Sequence, residues 1–152
     1  LNMNVEAIRR TPNGTEPCPT FSFDQLTRVL GQADWVAVAL PLTDDTRQIF
    51  NAEMFATMKP GAHFINVGRG ELVDEDALIA ALQSGHLAGA ALDVFATEPL
   101  PPDSPLWNMD NVIITPHSSS ASAQSGLRSE DIFVKNFARY VAGEPLINEV
   151  NL

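Results

Sequence analysis

The sequence predicts an α/β protein with a doubly wound, mostly parallel sheet and helices on both of its faces. Three observations lead to this fold class. Short apolar runs alternate with segments of helical length along the whole chain, which is typical of right-handed strand-helix-strand crossovers. Glycine or a Lys-Pro-Gly sequence ends three of the helical segments. The 152 residues are 45% hydrophobic, enough for one domain core without disulfides or metal.

The predicted strands are apolar runs bounded by turn residues. The first is followed by a loop rich in proline, threonine and glycine up to residue 21. The second is an uninterrupted apolar run, as expected for a strand that is covered on both faces. The predicted strands are residues 3–8, 35–40, 62–67, 87–94 and 112–114.

The predicted helices each have a recognisable start or stop. Ser22 is a candidate N-cap for the first helix, which Gly31 ends. The Lys-Pro-Gly sequence at 59–61 stops the second, and Gly85 ends the third. The predicted helices are residues 23–30, 51–58, 74–84 and 122–141.

Composition excludes several functional classes. The formal charge of -10, from 9 basic against 19 acidic residues, repels phosphate backbones and anionic membranes, so nucleic acid and membrane partners are not expected. The chain has no apolar run of about 20 residues and no signal-peptide pattern, which predicts a soluble, cytoplasmic protein. Cys18 is the single cysteine, and no histidine pair has metal-ligand spacing, so no metal is predicted.

Three polar passages follow apolar strands, where doubly wound sheets bind their ligands. They are Asn-Val-Gly-Arg-Gly at 66–70, Leu-Asp-Val-Phe-Ala-Thr-Glu-Pro at 92–99, and Ile-Thr-Pro-His-Ser at 114–118. Each alone has a structural explanation: a solvated arginine, a surface Glu-Pro turn, a structural histidine. In this order they resemble the signature of the D-isomer-specific 2-hydroxyacid dehydrogenase family, whose fold is Rossmann-like. Passages at 40–43, 58–62 and 101–107 also resemble the family.

The resemblance implies hydride transfer between NAD(P)H and a small 2-keto acid, with three catalytic residues. Arg69 suits the substrate carboxylate, because a guanidinium binds it through two parallel hydrogen bonds. His117 suits proton transfer to the developing alkoxide, since histidine titrates near neutral pH. Glu98 is the carboxylate that would favour the charged, proton-donating imidazole. Glyoxylate, hydroxypyruvate, pyruvate and bulkier keto acids all remain open as substrates, and the arginine pair at 9–10 together with the family's usual reductive direction favours glyoxylate or hydroxypyruvate.

The resemblance also implies cofactor contacts. Asp93 matches the position that contacts the nicotinamide carboxamide, although a strand-end aspartate also commonly caps a turn. The remaining residues expected along the cofactor groove, on the resemblance alone, are Leu40, Pro41, Thr46, Val67 and Gly68.

The end of the first predicted strand bears on cofactor choice. In dinucleotide-binding sheets, an acidic residue at the end of the second strand binds the ribose hydroxyls of NAD, whereas basic residues accept the 2'-phosphate of NADP. Arg9 and Arg10 occupy that place, with no carboxylate beside them in the sequence. The pair favours NADP over NAD; the alternative is a solvated arginine pair beside a loop.

The chain departs from the family in one respect. The G-x-G-x-x-G turn that binds the pyrophosphate is absent, and family members place it before the segment that begins this chain. Residues 1–143 are therefore predicted to be a partial dinucleotide-binding domain, and 144–152 a tail toward a missing substrate domain. We expect these residues alone neither to fold stably nor to turn over substrate, because the sheet lacks a strand. The intact protein is expected to be a homodimer.

Two other interpretations remain open from the sequence. Nucleotide-sensing corepressors related to the family keep the fold as an interaction module, but such a module needs no arginine, glutamate and histidine together. Proteins similar to formate dehydrogenase share the fold but favour glutamine where this chain has Glu98.

Overall fold

A computed structural model of the chain describes residues 3–122 and 124–149. It contains two compact units, one ending at His117 and the other beginning at Ser118. The first unit holds all the strands of the described residues, and every strand pair among them is parallel. The predicted parallel α/β architecture is confirmed.

The first unit contains a two-stranded and a four-stranded sheet. The small sheet pairs β1 (Ala7–Ile8) with β2 (Thr20–Phe21). The large sheet has the order β3-β4-β5-β6. Its strands are β3 (Trp35–Val38), β4 (Ala62–Asn66), β5 (Leu87–Leu92) and β6 (Val112–Ile114). No ladder joins the two sheets in the part of the chain described, so the expected break in the strand order is present.

Three helices connect these strands: α1 (Leu26–Leu30), α2 (Ala52–Thr57) and α3 (Glu75–Gln83). The predicted first helix differs from the structure, because it begins as a 3-10 turn and Ser22 makes no side-chain cap to the backbone. Asn51 and Asp74 are the N-caps of α2 and α3, because their side chains accept hydrogen bonds from the N–H groups of Met54 and Ala77.

One face of the large sheet carries the hydrophobic core. Phe64 of β4 packs edge-on against Phe50 and Phe55, with ring centroids 5.2 Å apart in both pairs. These three rings are nearly inaccessible to solvent, and burying each contributes roughly 2 kcal/mol. Leu78 and Leu82 of α3 complete the same cluster.

The opposite face is much more open, which corrects the prediction for the second strand. β3 alternates exposed and buried residues, so its continuous apolar run does not reflect cover on both sides. Trp35 is 54% exposed and Ile113 is 66% exposed. The Trp35 ring stacks on His63 of β4, with centroids 4.1 Å apart.

Strand register brings the ends of the large sheet together. Val38 pairs with Asn66, Asn66 with Leu92, and Leu92 with Ile114. The residues that follow β4, β5 and β6 therefore leave the sheet at one edge, where parallel sheets bind ligands.

The second unit, which begins at Ser118, contains α4 (Ser125–Ala142) and the segment after it. Gly143 ends the helix in the left-handed conformation, with φ of 69°. Asn136 holds the returning segment by donating to the carbonyl of Ile147 and accepting from its N–H. Phe133 and Phe137 stack on an exposed apolar side of α4. The predicted domain boundary at residue 143 stays a prediction, and residues 150–152 of the predicted tail lie outside the described residues.

None of the helices in residues 3–122 and 124–149 is long and apolar enough to cross a membrane.

Candidate active site

The turn after β4 presents Arg69 at the edge of the sheet. Asn66, which is 1% exposed, holds this turn from below: its Oδ1 accepts from the N–H of Gly68 at 3.0 Å, and its Nδ2 donates to the carbonyl of Arg69 at 3.0 Å. The Arg69 guanidinium donates to the Gly68 carbonyl at 2.7 Å. The buried Asn66 side chain thus fixes the backbone of the turn that carries the exposed Arg69 guanidinium.

An open groove of about 530 Å³ lies between this turn and the loop after β3. It is lined by residues 39–42 and 67–69, which include Leu40, Pro41, Val67 and Gly68. Gly68 permits the close approach of the two walls, because a Cβ there would lie 3.0 Å from the carbonyl oxygen of Leu40. Four of the residues predicted for the cofactor groove therefore line one groove.

Thr46 is the predicted groove residue that does not line it. Its buried hydroxyl donates to the Pro41 carbonyl at 2.8 Å and accepts from the Thr43 N–H at 2.8 Å. These contacts hold the loop after β3 in a tight turn, so Thr46 supports one wall of the groove without lining it.

Gly70 joins the Arg69 turn to the loop after β5. A Cβ on Gly70 would lie 1.9 Å from the carbonyl carbon of Phe95 and 2.4 Å from the Ala96 nitrogen. Two backbones are therefore in direct contact here. The loop that carries Arg69 and the loop that carries Glu98 fix each other's position.

The side chains of His117 and Glu98 form a hydrogen-bonded pair between the loops after β5 and β6. Nδ1 of His117 lies 2.8 Å from Oε2 of Glu98, and the other carboxylate oxygen accepts from the Phe95 N–H at 3.0 Å. The His117 hydrogen bond, followed by the Phe95 N–H, holds the pKa of Glu98 below its usual value. The two side chains are 46% and 37% exposed, so the pair adds little to stability and its main effect is to orient the imidazole.

Asp93 occupies the end of β5, next to this pair. It is 3% exposed, and its Oδ1 accepts a hydrogen bond of 2.5 Å from the hydroxyl of Thr115. The Thr115 carbonyl in turn accepts from the His117 N–H at 3.1 Å. Thr115 therefore links the buried carboxylate to the backbone of the histidine.

The His117–Glu98 pair stands on the rim of a second cavity of about 520 Å³. Its walls are mainly apolar and come from three segments of the first unit. The lining residues are Phe95, Glu98, Pro99, Leu100, Trp107, Ile114, Thr115, Pro116 and His117.

Both arginines after β1 are paired with carboxylates. Arg9 lies 3.1 Å from Glu16, and Arg10 lies 2.6 Å from Asp45. The sequence has no carboxylate beside the arginines, but the folded chain brings one to each, since the loop after β1 returns Glu16 to Arg9 and the loop after β3 supplies Asp45 to Arg10. Among the described residues, no group of three or more His, Cys, Asp or Glu side chains could hold a metal ion.

Residues 1–119 match the family described as D-isomer specific 2-hydroxyacid dehydrogenase, NAD binding domain. The chain belongs to the D-isomer-specific 2-hydroxyacid dehydrogenase family. It is 48% identical over 126 residues to the glyoxylate/hydroxypyruvate reductase B of Shigella boydii, a match that covers 83% of this chain and 39% of that protein.

Solved dehydrogenases of the family share the fold. The enzyme from Xanthobacter autotrophicus in complex with NADPH and MES is 48% identical, with a TM-score of 0.89 over 97% of this chain and 61% of that one. The NADPH-dependent glyoxylate/hydroxypyruvate reductase from Sinorhizobium meliloti, in complex with NADP and sulfate, is 38% identical, with a TM-score of 0.89 over 99% and 48%. The chain spans about half the length of the curated relatives it matches.

Within this dehydrogenase fold, sequence reasoning missed the residues that hold the site together. Asn66 and Thr115 lie inside the polar passages at 66–70 and 114–118, and their positions at strand ends could have identified them as residues that support the site. Gly70 gave only the general signal of a glycine in a turn. Glu16 gave none, because its pairing with Arg9 depends on how the loop folds.

Proposed function

We propose that the intact protein transfers a hydride between NADP(H) and a small 2-keto acid or D-2-hydroxy acid, with glyoxylate or hydroxypyruvate as the preferred substrate. The observation that carries the proposal is the 2.8 Å pairing of His117 with Glu98, at the sheet edge where the Arg69 turn also emerges. Family membership supports the reaction class. Relatives named as glyoxylate/hydroxypyruvate reductases support the substrate.

The chain's own residues fit a nicotinamide dinucleotide. The groove beside Leu40, Pro41, Val67 and Gly68 is open and backbone-lined, and the buried carboxylate of Asp93 stands at the adjacent strand end, suited to a carboxamide donor. Arg9 and Arg10 offer cations for a 2'-phosphate, and the solved relatives with NADPH and NADP support that choice over NAD. Thr46 supports the loop after β3. When bound, NADPH supplies the hydride.

Three side chains divide the remaining chemistry. Arg69 binds the substrate carboxylate and holds the carbonyl carbon in place. His117 uses Nδ1 for Glu98, which leaves Nε2 as the ring nitrogen that gives its proton to the carbonyl oxygen as that oxygen becomes a hydroxyl. Glu98 stabilises the imidazolium before the transfer, and the reverse transfer occurs when the hydroxy acid is oxidised.

The test is NADPH and NADH consumption by the intact protein with hydroxypyruvate and glyoxylate. His117→Ala should lower kcat by about 100-fold or more. His86→Ala is the matched control, since His86 contacts the Phe55 carbonyl away from the site, and it should retain turnover. Arg69→Lys should mainly raise KM for the keto acid, because lysine cannot bind it bidentately.

Tight NADPH binding without consumption of any keto acid would overturn the enzyme proposal and favour a nucleotide-sensing interaction module. Residues 1–143 as the cofactor domain, and a cytoplasmic homodimer as the intact state, are part of the proposal. They rest on the family resemblance. Sedimentation of the intact protein tests the dimer.

A further inference from the structure

Arg9 and its loop form an anion site that the chain itself fills. The Glu16 carboxylate accepts three hydrogen bonds: from the Arg9 guanidinium at 3.1 Å and from the backbone N–H groups of Asn13 and Gly14, both at 2.8 Å. Gly14 has φ of 79°, the left-handed conformation that turns its N–H toward the carboxylate. The Glu16 side chain is only 12% exposed, against 50% for Arg9.

These donors are the kind that bind a phosphate monoester. A guanidinium and two adjacent backbone N–H groups present positive ends to any compact anion. The same contacts, led by the Asn13 N–H, hold the pKa of Glu16 below its usual value, so the carboxylate is charged at neutral pH. A second anion cannot take these donors while the carboxylate holds them.

The second arginine is held much less firmly. Arg10 and Asp45 are 66% and 80% exposed, and a pair in water contributes little. Asp45 also belongs to another loop, after β3. Competition for a phosphate therefore centres on Arg9 and not on Arg10.

We propose that Glu16 competes with the 2'-phosphate of NADPH for Arg9 and the Asn13 and Gly14 N–H groups, and thereby limits the preference for NADPH over NADH. The inference rests on the proposed function, because it assumes that the dinucleotide's ribose binds beside Arg9. It makes Glu16 a specificity-determining residue: the carboxylate has to leave Arg9 before the phosphate can bind there.

The test measures dissociation constants of NADPH, NADH and 2',5'-ADP for the intact protein by fluorescence titration. Glu16→Gln keeps one oxygen that can still accept from the Asn13 N–H, but it removes the acceptor for the Gly14 N–H and the charge that competes for Arg9. NADPH and 2',5'-ADP should bind about fivefold more tightly to this variant, the upper end of what an exposed ion pair contributes. NADH should bind unchanged, and the gain should shrink at high salt.

Two further variants separate a local effect from a general one. Glu6→Gln removes the same charge near β1, from a pair with Arg28 at 3.9 Å, and should leave all three constants unchanged. In an Arg9→Gln background, Glu16→Gln should have no effect, because the competition acts through that guanidinium. Thermal unfolding of each variant checks that it is folded.

Each other outcome overturns the proposal in a distinguishable way. If Arg9→Gln abolishes the NADPH preference but Glu16→Gln changes nothing, the proposed function stands and the competition does not exist. If Glu16→Gln weakens NADH, the carboxylate binds the ribose hydroxyls. An equal gain from Glu6→Gln would reduce the effect to net charge. Failure of the wild-type protein to bind either dinucleotide overturns the proposed function itself.

Discussion

Replacing Gly70 by alanine tests whether the Arg69 turn and the Glu98 loop depend on direct backbone contact. The added Cβ would lie 1.9 Å from the Phe95 carbonyl carbon and 2.0 Å from its oxygen. Non-bonded carbon atoms pack at about 3.5–4.0 Å, so one backbone must move by roughly 2 Å. Neither can move freely, because Asn66 fixes the turn on one side and the Phe95 N–H is bound to Glu98 on the other.

The cost follows from this geometry. Overpacking a fitted site typically costs about 1–3 kcal/mol, and a clash with main chain belongs at the upper end of that range. A loss of about 3 kcal/mol corresponds to a fall in Tm of roughly 6–12 °C for a domain of this size. Turnover should fall as well, because the shift separates Arg69 from the His117–Glu98 pair.

Thermal and urea unfolding of the intact protein measure the loss, and NADPH consumption measures the effect on the site. Gly31→Ala is the matched control, since its Cβ would meet its nearest neighbour at 3.4 Å and its backbone is already right-handed helical. That variant should be as stable as wild type or slightly more stable. A Gly70→Ala protein that unfolds within about 0.5 kcal/mol of wild type, with normal turnover, would refute the argument.

Three further predictions concern single contacts. Glu98→Gln should cost a small amount of stability at neutral pH, because the lowered pKa of Glu98 stabilises the fold while the carboxylate is charged; the Tm difference from wild type should shrink as pH falls below about 4.5 and vanish only once pH is below the lowered pKa. Asn66→Ala should cost about 2–3 kcal/mol in urea unfolding and raise KM for the keto acid, because it removes both side-chain hydrogen bonds that hold the Arg69 turn. Thr115→Val should weaken NADPH binding in a fluorescence titration whereas Thr115→Ser should not, because serine keeps the hydroxyl that donates to the buried Asp93 carboxylate. Equal binding of NADPH by the two variants would refute a role for this hydrogen bond.

The sheet and the polar passages at its strand ends could be predicted because they depend on local pattern. Apolar runs gave β4, β5 and β6 to within a residue or two at most ends, and a parallel sheet places the ends of its strands at one edge whatever the connecting loops do. Arg69, Glu98 and His117 each follow such a strand. Their positions therefore follow from chain order and strand direction.

Features that depend on tertiary context were not predictable in the same way. β2 has two residues and no periodicity of its own, so only its pairing with β1 defines it. The apolar run of β3 specifies hydrophobic side chains but not what covers each face, which is why Trp35 is exposed where cover was expected. The Glu16 carboxylate reaches Arg9 because Gly14 turns the intervening loop, and that requires a backbone angle that sequence spacing does not encode.

The backbone of His117 adopts a conformation that costs stability and that the proposed reaction would explain. With φ of 50° it lies in the left-handed region, which costs a residue with a side chain about 1 kcal/mol and costs glycine almost nothing. Selection for a durable fold alone would favour glycine or asparagine at this corner. Under the proposed mechanism, an imidazole at this corner lowers stability in exchange for reactivity, and stabilising substitutions elsewhere in the protein would be needed to offset it.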